Sequence, residues 1–162
     1  MEMISNEEKI TQAVLVSVDT GDYDAEASLA ELKELVKSAG AEPVFTVTQN
    51  LKRPETGTYV GTGKLQEIAD ICKQQEIDLL VFDCELSPTQ IRNIEAETDT
   101  RTIDRTMLIL DIFALRARSK EGKLQVELAQ LKYLMPRLTG KGVAMSRLGG
   151  GIGTRGPGET KL

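Results

Sequence analysis

Short apolar runs and amphipathic stretches alternate along the first hundred residues. Three runs rich in β-branched and aliphatic residues predict strands covered on both faces, at residues 13–19 (AVLVSVD), 42–48 (EPVFTVT) and 78–83 (DLLVFD). A shorter run near Arg101 (RTI) predicts a fourth strand. Apolar residues recur with helical spacing between them, at residues 25–39, 65–72 and 91–94. This alternation predicts an α/β fold, a small parallel sheet with flanking helices and right-handed crossovers.

The third predicted helix has the clearest start signal. Ser87 is a good N-cap, Pro88 takes the first helical position, and Gln90 stands where a capping box needs it. The first helix has a stop signal instead, because Gly40 follows its last apolar residue. We assign residues 1–104 to this α/β subdomain.

From about Asp104 the pattern changes to that of a long helical arm. The stretch before Pro136 contains a single glycine, Gly122, so some thirty residues are expected to be helical with a weak point near the middle. A coiled-coil seam follows this helix through Leu124, Leu128, Leu131, Met135 and Leu138, and is continued backwards by Leu110, Phe113 and Ala117. A seam needs a partner. We expect either an antiparallel hairpin whose return helix has been cut away or a homodimer, and assign residues 105–162 to the arm.

Charge divides the chain at about the same place. Residues 1–115 hold 10 Lys and Arg against 22 Asp and Glu, a net charge of −12, whereas residues 116–162 hold 10 against 3, a net charge of +7. The overall charge of −5 hides this division. The asymmetry predicts a basic arm for a polyanion, carried by an acidic body that would itself repel one.

The composition excludes several classes of site. The absence of histidine removes imidazole bases, Ser-His and Cys-His nucleophile pairs and the commonest metal ligand. Cys72 and Cys84 are not spaced as C-x-x-C, so we expect buried, reduced thiols rather than redox or metal ligands. The acidic N-terminus is unlike a secretory leader, and no apolar run approaches the roughly 18 residues of a membrane span. We therefore expect a cytoplasmic protein with no membrane span.

The sequence GTGK at residues 61–64 is similar to part of a phosphate-binding loop. A full G-x-x-x-x-G-K-[ST] motif would need glycine where Thr58 stands and serine or threonine where Leu65 stands. We therefore interpret the stretch as a turn that opens the second helix. Its backbone N–H groups keep it as a candidate anion site, formed by Gly61, Thr62, Gly63 and Lys64.

Acidic residues follow the first and third predicted strands, where open α/β sheets tend to place their sites. These residues are Asp19, Asp22, Asp24, Asp83 and Glu85. These residues can equally be helix caps and solvated turn residues with no catalytic or binding role. With no histidine, nucleophile pair or sound nucleotide loop, we predict no catalytic residue and no metal ligand in the chain.

A stretch rich in glycine and basic residues closes the sequence. Eight of the 14 glycines lie between Gly140 and Gly158, so the backbone there favours neither helix nor strand. Charges set among glycines can approach a phosphate backbone closely, whereas a plain linker would not need isolated arginines. No aromatic residue follows Tyr133, which disfavours base stacking and favours contact with a folded RNA surface. The predicted RNA-binding residues are Arg137, Lys141, Arg147, Gly149, Gly150, Gly151, Gly153, Arg155 and Gly156.

Three stretches resemble a known family. FDCELSPTQIRNIE, IDRTMLILDIFALRARSKEGKLQVELAQLKYLMPRLTG and MSRLGGGIGTRGPGETKL are closely similar to the HflX family of ribosome-associated GTPases, in the region before the GTPase domain. The resemblance is specific from about Gly61 to Leu162. It implies an α/β subdomain, a helical hairpin and a GTP-binding domain, in a protein that binds the large ribosomal subunit and its rRNA and splits or rescues stalled ribosomes. It also implies that the glycine-rich loop is the hairpin tip that reaches this RNA.

The sequence departs from the family pattern at its end. It ends at Leu162, just after the return helix should begin near Glu159, and lacks the P-loop, the magnesium-binding threonine and the guanine-specificity motif. The resemblance therefore implies GTP and magnesium for a missing GTPase domain, which is also an implied partner, and no cofactor for this fragment. Some members of the family are reported to bind ATP through this N-terminal part, so the resemblance keeps the GTGK turn as a candidate anion site. The alternative is a self-standing α/β nucleotide-binding or hydrolytic domain that dimerises through its long helix.

Overall fold

The computed structural model describes residues 9–138 of the chain. Within this range the chain forms a four-stranded, wholly parallel sheet in the order β2-β1-β3-β4. The strands are β1 Thr11–Asp19, β2 Ala41–Asn50, β3 Leu79–Phe82 and β4 Arg101–Asp104. All four predicted strands are confirmed, and so is the α/β fold class.

Five α-helices accompany the sheet in the part of the chain that the structure describes. They are α1 Ala25–Ser38, α2 Thr62–Gln74, α3 Pro88–Thr98, α4 Arg105–Arg116 and α5 Lys120–Leu134, followed by a short 3-10 helix at Met135–Arg137. Helix α2 contacts α3, and α1 contacts α4. With right-handed crossovers these two pairs cover opposite faces of the sheet. None of the helices between residues 9 and 138 is long and apolar enough to cross a membrane.

The two central strands form the core. Every residue of β3 is buried, and β1 is buried from Ala13 to Val18. In the sheet register Val16 lies between Val47 of β2 and Phe82 of β3. Because helices cover both faces of these strands, their sequences are continuously apolar rather than alternating.

The local signals in the sequence set the helix boundaries. The Ser87 hydroxyl accepts a hydrogen bond from the Gln90 N–H at 3.1 Å, and the Gln90 side chain accepts one from the Ser87 N–H at 2.9 Å, which confirms the capping box. Gly40 follows α1 with a φ of +94°, in the region that favours glycine. Gly61 is the N-cap of α2, so the interpretation of GTGK as a helix-opening turn is also confirmed.

The stretch predicted as one long helix is helical but broken near its middle, so the arm consists of two helices, α4 and α5. The backbone is extended at Ala117, and the Ser119 hydroxyl then caps a new helix by accepting a hydrogen bond from the Gly122 N–H at 2.9 Å. Gly122 therefore lies in the first turn of α5 and not at a weak point in the middle of a helix. Tyr133, near the end of α5, bonds to Asp104, just before α4, so the two helices run antiparallel and in contact.

The predicted seam is present only along α5 and the first residue of the 3-10 helix that follows it. Its side chains there are strongly exposed: Leu124 (60%), Leu128 (49%), Leu131 (53%) and Met135 (62%). We call these four residues the outer stripe. A different face of α5, which includes Tyr133 and Leu134, packs against the core. The backward continuation of the seam through α4 is wrong, because α4 runs in the opposite direction.

Candidate functional site

The GTGK turn has an ordinary structural role at the start of α2. The Gly61 N–H donates to the Gln49 side-chain oxygen at 2.9 Å, which ties the turn to the end of β2. The Lys64 amine lies 3.2 Å from a Glu67 carboxylate oxygen on the same helix. Space beside Gly63 is open, since a Cβ built there would meet no atom within 4 Å. These contacts explain the turn, and anion binding by Gly61, Thr62, Gly63 and Lys64 stays a prediction.

The acidic residues at the carboxyl ends of the strands act mainly as caps and turn residues. Asp24 accepts a hydrogen bond from the Ala27 N–H at 3.0 Å and so caps α1. An Asp19 oxygen accepts one from the Gly21 N–H at 2.9 Å, and the Asp22 carboxylate accepts one from the Thr20 hydroxyl. Glu85 accepts one from the Thr106 hydroxyl at 3.0 Å. The interpretation of these four residues as caps and turns is confirmed.

Asp83 differs from the other acidic residues because its side chain is 1% exposed. One of its oxygens lies 2.6 Å from Arg105 Nη1, and Arg105 Nη2 pairs in turn with Glu31 of α1. The other oxygen, Oδ2, is buried and has no hydrogen-bond partner among the described residues. The Asp83–Arg105–Glu31 contacts connect the end of β3 with α1 and the first residue of α4.

Both cysteines are free thiols in the described part. Cys72 is buried on α2, and Cys84 is half-buried just after β3. Burial raises the pKa of each thiol above its ordinary value of 9.0. The sequence-based expectation of burial is confirmed for Cys72, whereas Cys84 is only partly buried.

A buried carboxylate, Asp104, joins the sheet to the end of the arm. Its Oδ1 accepts a hydrogen bond from the Met107 N–H at 2.9 Å and thereby caps α4. Its Oδ2 accepts two more, from the Leu86 N–H at 2.9 Å and from the Tyr133 hydroxyl at 2.6 Å. Burial raises the pKa of Asp104, although these three hydrogen bonds and the charge of Arg137 act in the opposite direction. The pKa of Tyr133 is also raised, by burial first and then by its bond to the carboxylate.

Arg137 completes this cluster, one helical turn beyond Tyr133. Its Nε donates to the Leu86 carbonyl at 3.0 Å, and its Nη1 donates to the Tyr133 carbonyl at 3.1 Å. The guanidinium carbon lies 3.7 Å from the centre of the Tyr133 ring, which is a cation–π contact. Arg137 is the one predicted RNA-binding residue inside the described range, and these contacts are all intramolecular.

The other predicted RNA-binding residues lie outside the described residues: Lys141, Arg147, Gly149, Gly150, Gly151, Gly153, Arg155 and Gly156. The sequence had not indicated the cluster of Asp104, Tyr133 and Arg137. Only the spacing of Tyr133 and Arg137, four residues apart, was available as a signal. The contacts of Tyr133 with Asp104 and of Arg137 with Leu86 depend on the reversal between α4 and α5, which the apolar spacing does not indicate.

One further cavity lies at the carboxyl ends of β1 and β2, with a volume of about 420 Å³. It is lined by Asp19, Thr20, Gly21, Asn50, Leu51 and Lys52. In residues 9–138 no group of three or more histidine, cysteine or acidic side chains is arranged to hold a metal ion.

Comparison with known proteins assigns the chain to a family. Residues 26–114 match the family model described as GTP-binding GTPase N-terminal, and residues 116–162 match the one described as GTP-binding GTPase Middle Region. The curated relatives that match are named GTPase HflX. The chain belongs to the HflX family of GTPases.

The HflX relatives cover nearly all of this chain. The GTPase HflX of Alkalihalophilus pseudofirmus is 56% identical over 155 residues, which are 94% of this chain and 37% of the relative. That of Escherichia coli is 51% identical over 152 residues, 93% of this chain and 35% of the relative. The chain thus spans somewhat more than a third of the length of these relatives.

Solved structures of GTP-binding proteins share the fold. A crystal structure of SsGBP with GDP aligns with a TM-score of 0.62 and 31% identity, over 83% of this chain and 39% of that one. A GTP-binding protein from Sulfolobus solfataricus, also with GDP, aligns with a TM-score of 0.54 and 31% identity over 86% of this chain and 41% of that one. Each alignment thus covers more than four fifths of this HflX-family chain.

Proposed function

We propose that this chain is the N-terminal ribosome-binding and regulatory module of an HflX-type GTPase, which binds the large ribosomal subunit and helps to split or rescue stalled ribosomes. The division of charge carries the proposal. An acidic body of net charge −12 would be repelled by rRNA, so binding must be delegated to the part of the chain with a net charge of +7. The basic glycine-rich segment, residues 139–158, places Lys141, Arg147 and Arg155 among eight glycines, a composition that suits close approach to phosphates.

The geometry supports this proposal by the place where the segment begins. Arg137, immediately before Leu138, is bonded to the Leu86 carbonyl at the carboxyl edge of the sheet. The segment therefore starts from a defined point on the body, beside the β3–α3 connection. In this proposal the body presents the segment, and the segment contacts large-subunit RNA through Lys141, Arg147 and Arg155.

The outer stripe of α5 fits the same proposal. The outer stripe exposes four apolar side chains at coiled-coil spacing. Complete burial of one such side chain would contribute roughly 1.5–3 kcal/mol, so a partner that covers the stripe would be stabilised. We propose that the return helix of the hairpin covers them in the whole protein, and that the GTPase domain follows. GTP and Mg²⁺ would belong to that domain, and no residue of this chain is assigned to them.

A binding experiment with purified ribosomal subunits tests the proposal. The intact chain should cosediment with large subunits, and substitution of Lys141, Arg147 and Arg155 together by glutamine should abolish most of that binding. The matched control replaces three lysines of the acidic body, Lys33, Lys37 and Lys73, by glutamine and should bind as the parent does. Equal binding of parent and loop variant would contradict the proposal.

A further inference from the structure

The end of α5 is held against the body by two side chains one helical turn apart. Tyr133 reaches the buried Asp104 carboxylate, and Arg137 reaches the Leu86 carbonyl. Asp104 also accepts the Leu86 N–H, so both polar groups of the Leu86 backbone take part in one network. The two side chains are themselves joined, because the Arg137 guanidinium stacks on the Tyr133 ring and bonds to its carbonyl. We call Tyr133 and Arg137 the clamp.

We infer that the clamp fixes the root of the glycine-rich segment to the carboxyl edge of the sheet, and that Arg137 is a positioning residue rather than a phosphate contact. This inference rests on the proposed function, since it concerns how the segment is presented to RNA. It replaces the role that the sequence alone had indicated for Arg137.

The chemistry of the guanidinium group supports this role. A phosphate contact uses the donor edges of arginine, often two parallel N–H groups at once. In the structure Nε and Nη1 already donate to carbonyls, at 3.0 and 3.1 Å, and one face of the group lies on an aromatic ring. The planar fork with a stacking face is a property of arginine that lysine does not share. Lysine would keep the charge at this position but could not reproduce the stack and both bonds.

The burial of the carboxylate makes the clamp strong. Asp104 is 0% exposed, and one of its oxygens accepts the Tyr133 hydroxyl at 2.6 Å. A buried carboxylate that loses one donor has no water to replace it, so the open state is unfavourable. The clamp should therefore hold Leu138, the last described residue before the segment, at a fixed place on the body, which lowers the entropy that is lost on binding.

Three variants separate positioning from phosphate contact. Arg137→Lys keeps the charge, Arg137→Gln removes it, and Tyr133→Phe removes the hydroxyl while keeping the ring. Arg118→Lys is the matched control, because Arg118 is an exposed arginine of the same arm, in the connection between α4 and α5. Binding of each intact chain to purified large ribosomal subunits is measured at several salt concentrations, and amide exchange of Met135 is measured in the free chain.

The inference predicts that Arg137→Lys weakens binding about tenfold, since two hydrogen bonds to a charged group are lost. The slope of log affinity against log salt should stay that of the parent for Arg137→Lys, Arg137→Gln and Tyr133→Phe. The Met135 amide, which bonds to the Leu131 carbonyl, should exchange at least about threefold faster in each of these variants, and at the parent rate in Arg118→Lys.

Two results would overturn the inference. One is full binding by Arg137→Lys together with a slope lowered by about 0.7–0.9 in Arg137→Gln, the signature of one phosphate contact. The other is an unchanged Met135 exchange rate in all the clamp variants. If the parent chain itself does not bind large subunits, the proposed function fails, and the exchange rates still decide whether the clamp exists.

Discussion

Single residues carry the contacts that connect sheet and arm, and Asp104 is the first of them. Its two oxygens accept three hydrogen bonds, and an amide in its place would turn a donor group towards the N–H of Leu86 or Met107. We expect Asp104→Asn to lower the free energy of unfolding by roughly 1–3 kcal/mol, measured by urea denaturation at neutral pH. The control is Asp70→Asn, at an exposed carboxylate of α2 that should change stability by less than about 0.5 kcal/mol. Equal stabilities for the two variants would contradict the structural role of Asp104.

The two thiols give a prediction that depends on pH. Burial raises the pKa of both Cys72 and Cys84 in the folded chain above the value of 9.0 for an exposed thiol. The folded chain therefore keeps these protons to higher pH than the unfolded chain, and stability is lost as the pH rises above about 9. A thiol reagent should label neither residue rapidly at pH 8, and labelling should follow unfolding. Rapid labelling of native protein at that pH would show that the thiols are not protected.

At the scale of helices and strands, the effects of mutations on stability should distinguish the outer stripe from the core. Leu128→Gln with Leu131→Gln should cost this chain less than about 0.5 kcal/mol, because both side chains are already about half exposed. Leu108→Ala, at a fully buried position of α4, should cost about 2–5 kcal/mol. The stripe variant should also self-associate less than the parent at high concentration in sedimentation experiments. A parent that is monomeric at all concentrations would show that the stripe needs no partner.

The sheet and three of the helices could be predicted because their signals are local. The capping box of Ser87 and Gln90 marks its own helix, and buried strands reveal themselves by continuous apolar runs. The reversal between α4 and α5 could not be predicted in the same way. Ser119 is a sound N-cap, but the apolar spacing continues across it, and the choice between a bend and a straight helix is made by distant contacts such as Tyr133 with Asp104.

The candidate site was predictable to a smaller extent than the fold. Composition identifies a basic, glycine-rich segment without reference to structure, and its residues remain predictions. Arg137 shows the limit of this reasoning, since composition cannot distinguish an arginine offered to RNA from one that holds a carbonyl of the same chain. Only the contact between Arg137 and the Leu86 carbonyl, visible in the fold, provides that distinction.

For the whole molecule, we expect no GTP turnover by this chain. Its sequence has no G-x-x-x-x-G-K-[ST] motif, and the GTGK turn offers a lysine that is paired with Glu67. Purified chain should release phosphate from GTP, or from ATP, no faster than buffer does. Hydrolysis by the parent that is lost in Lys64→Ala would contradict this expectation and would favour the self-standing nucleotide-binding domain.

The salt dependence of binding to large ribosomal subunits, compared for three chains, tests most directly whether the glycine-rich segment binds the ribosome. They are the parent, a variant with Lys141, Arg147 and Arg155 replaced by glutamine, and a variant with Gly150 and Gly151 replaced by valine. If about three phosphates are engaged, the first variant should lower the slope of log affinity against log salt by roughly 2–3 units. The valine variant should bind more weakly at an unchanged slope, because β-branched residues deny the backbone close approach or a positive φ. Equal affinities and equal slopes for all three chains would contradict the claim that this segment binds the ribosome.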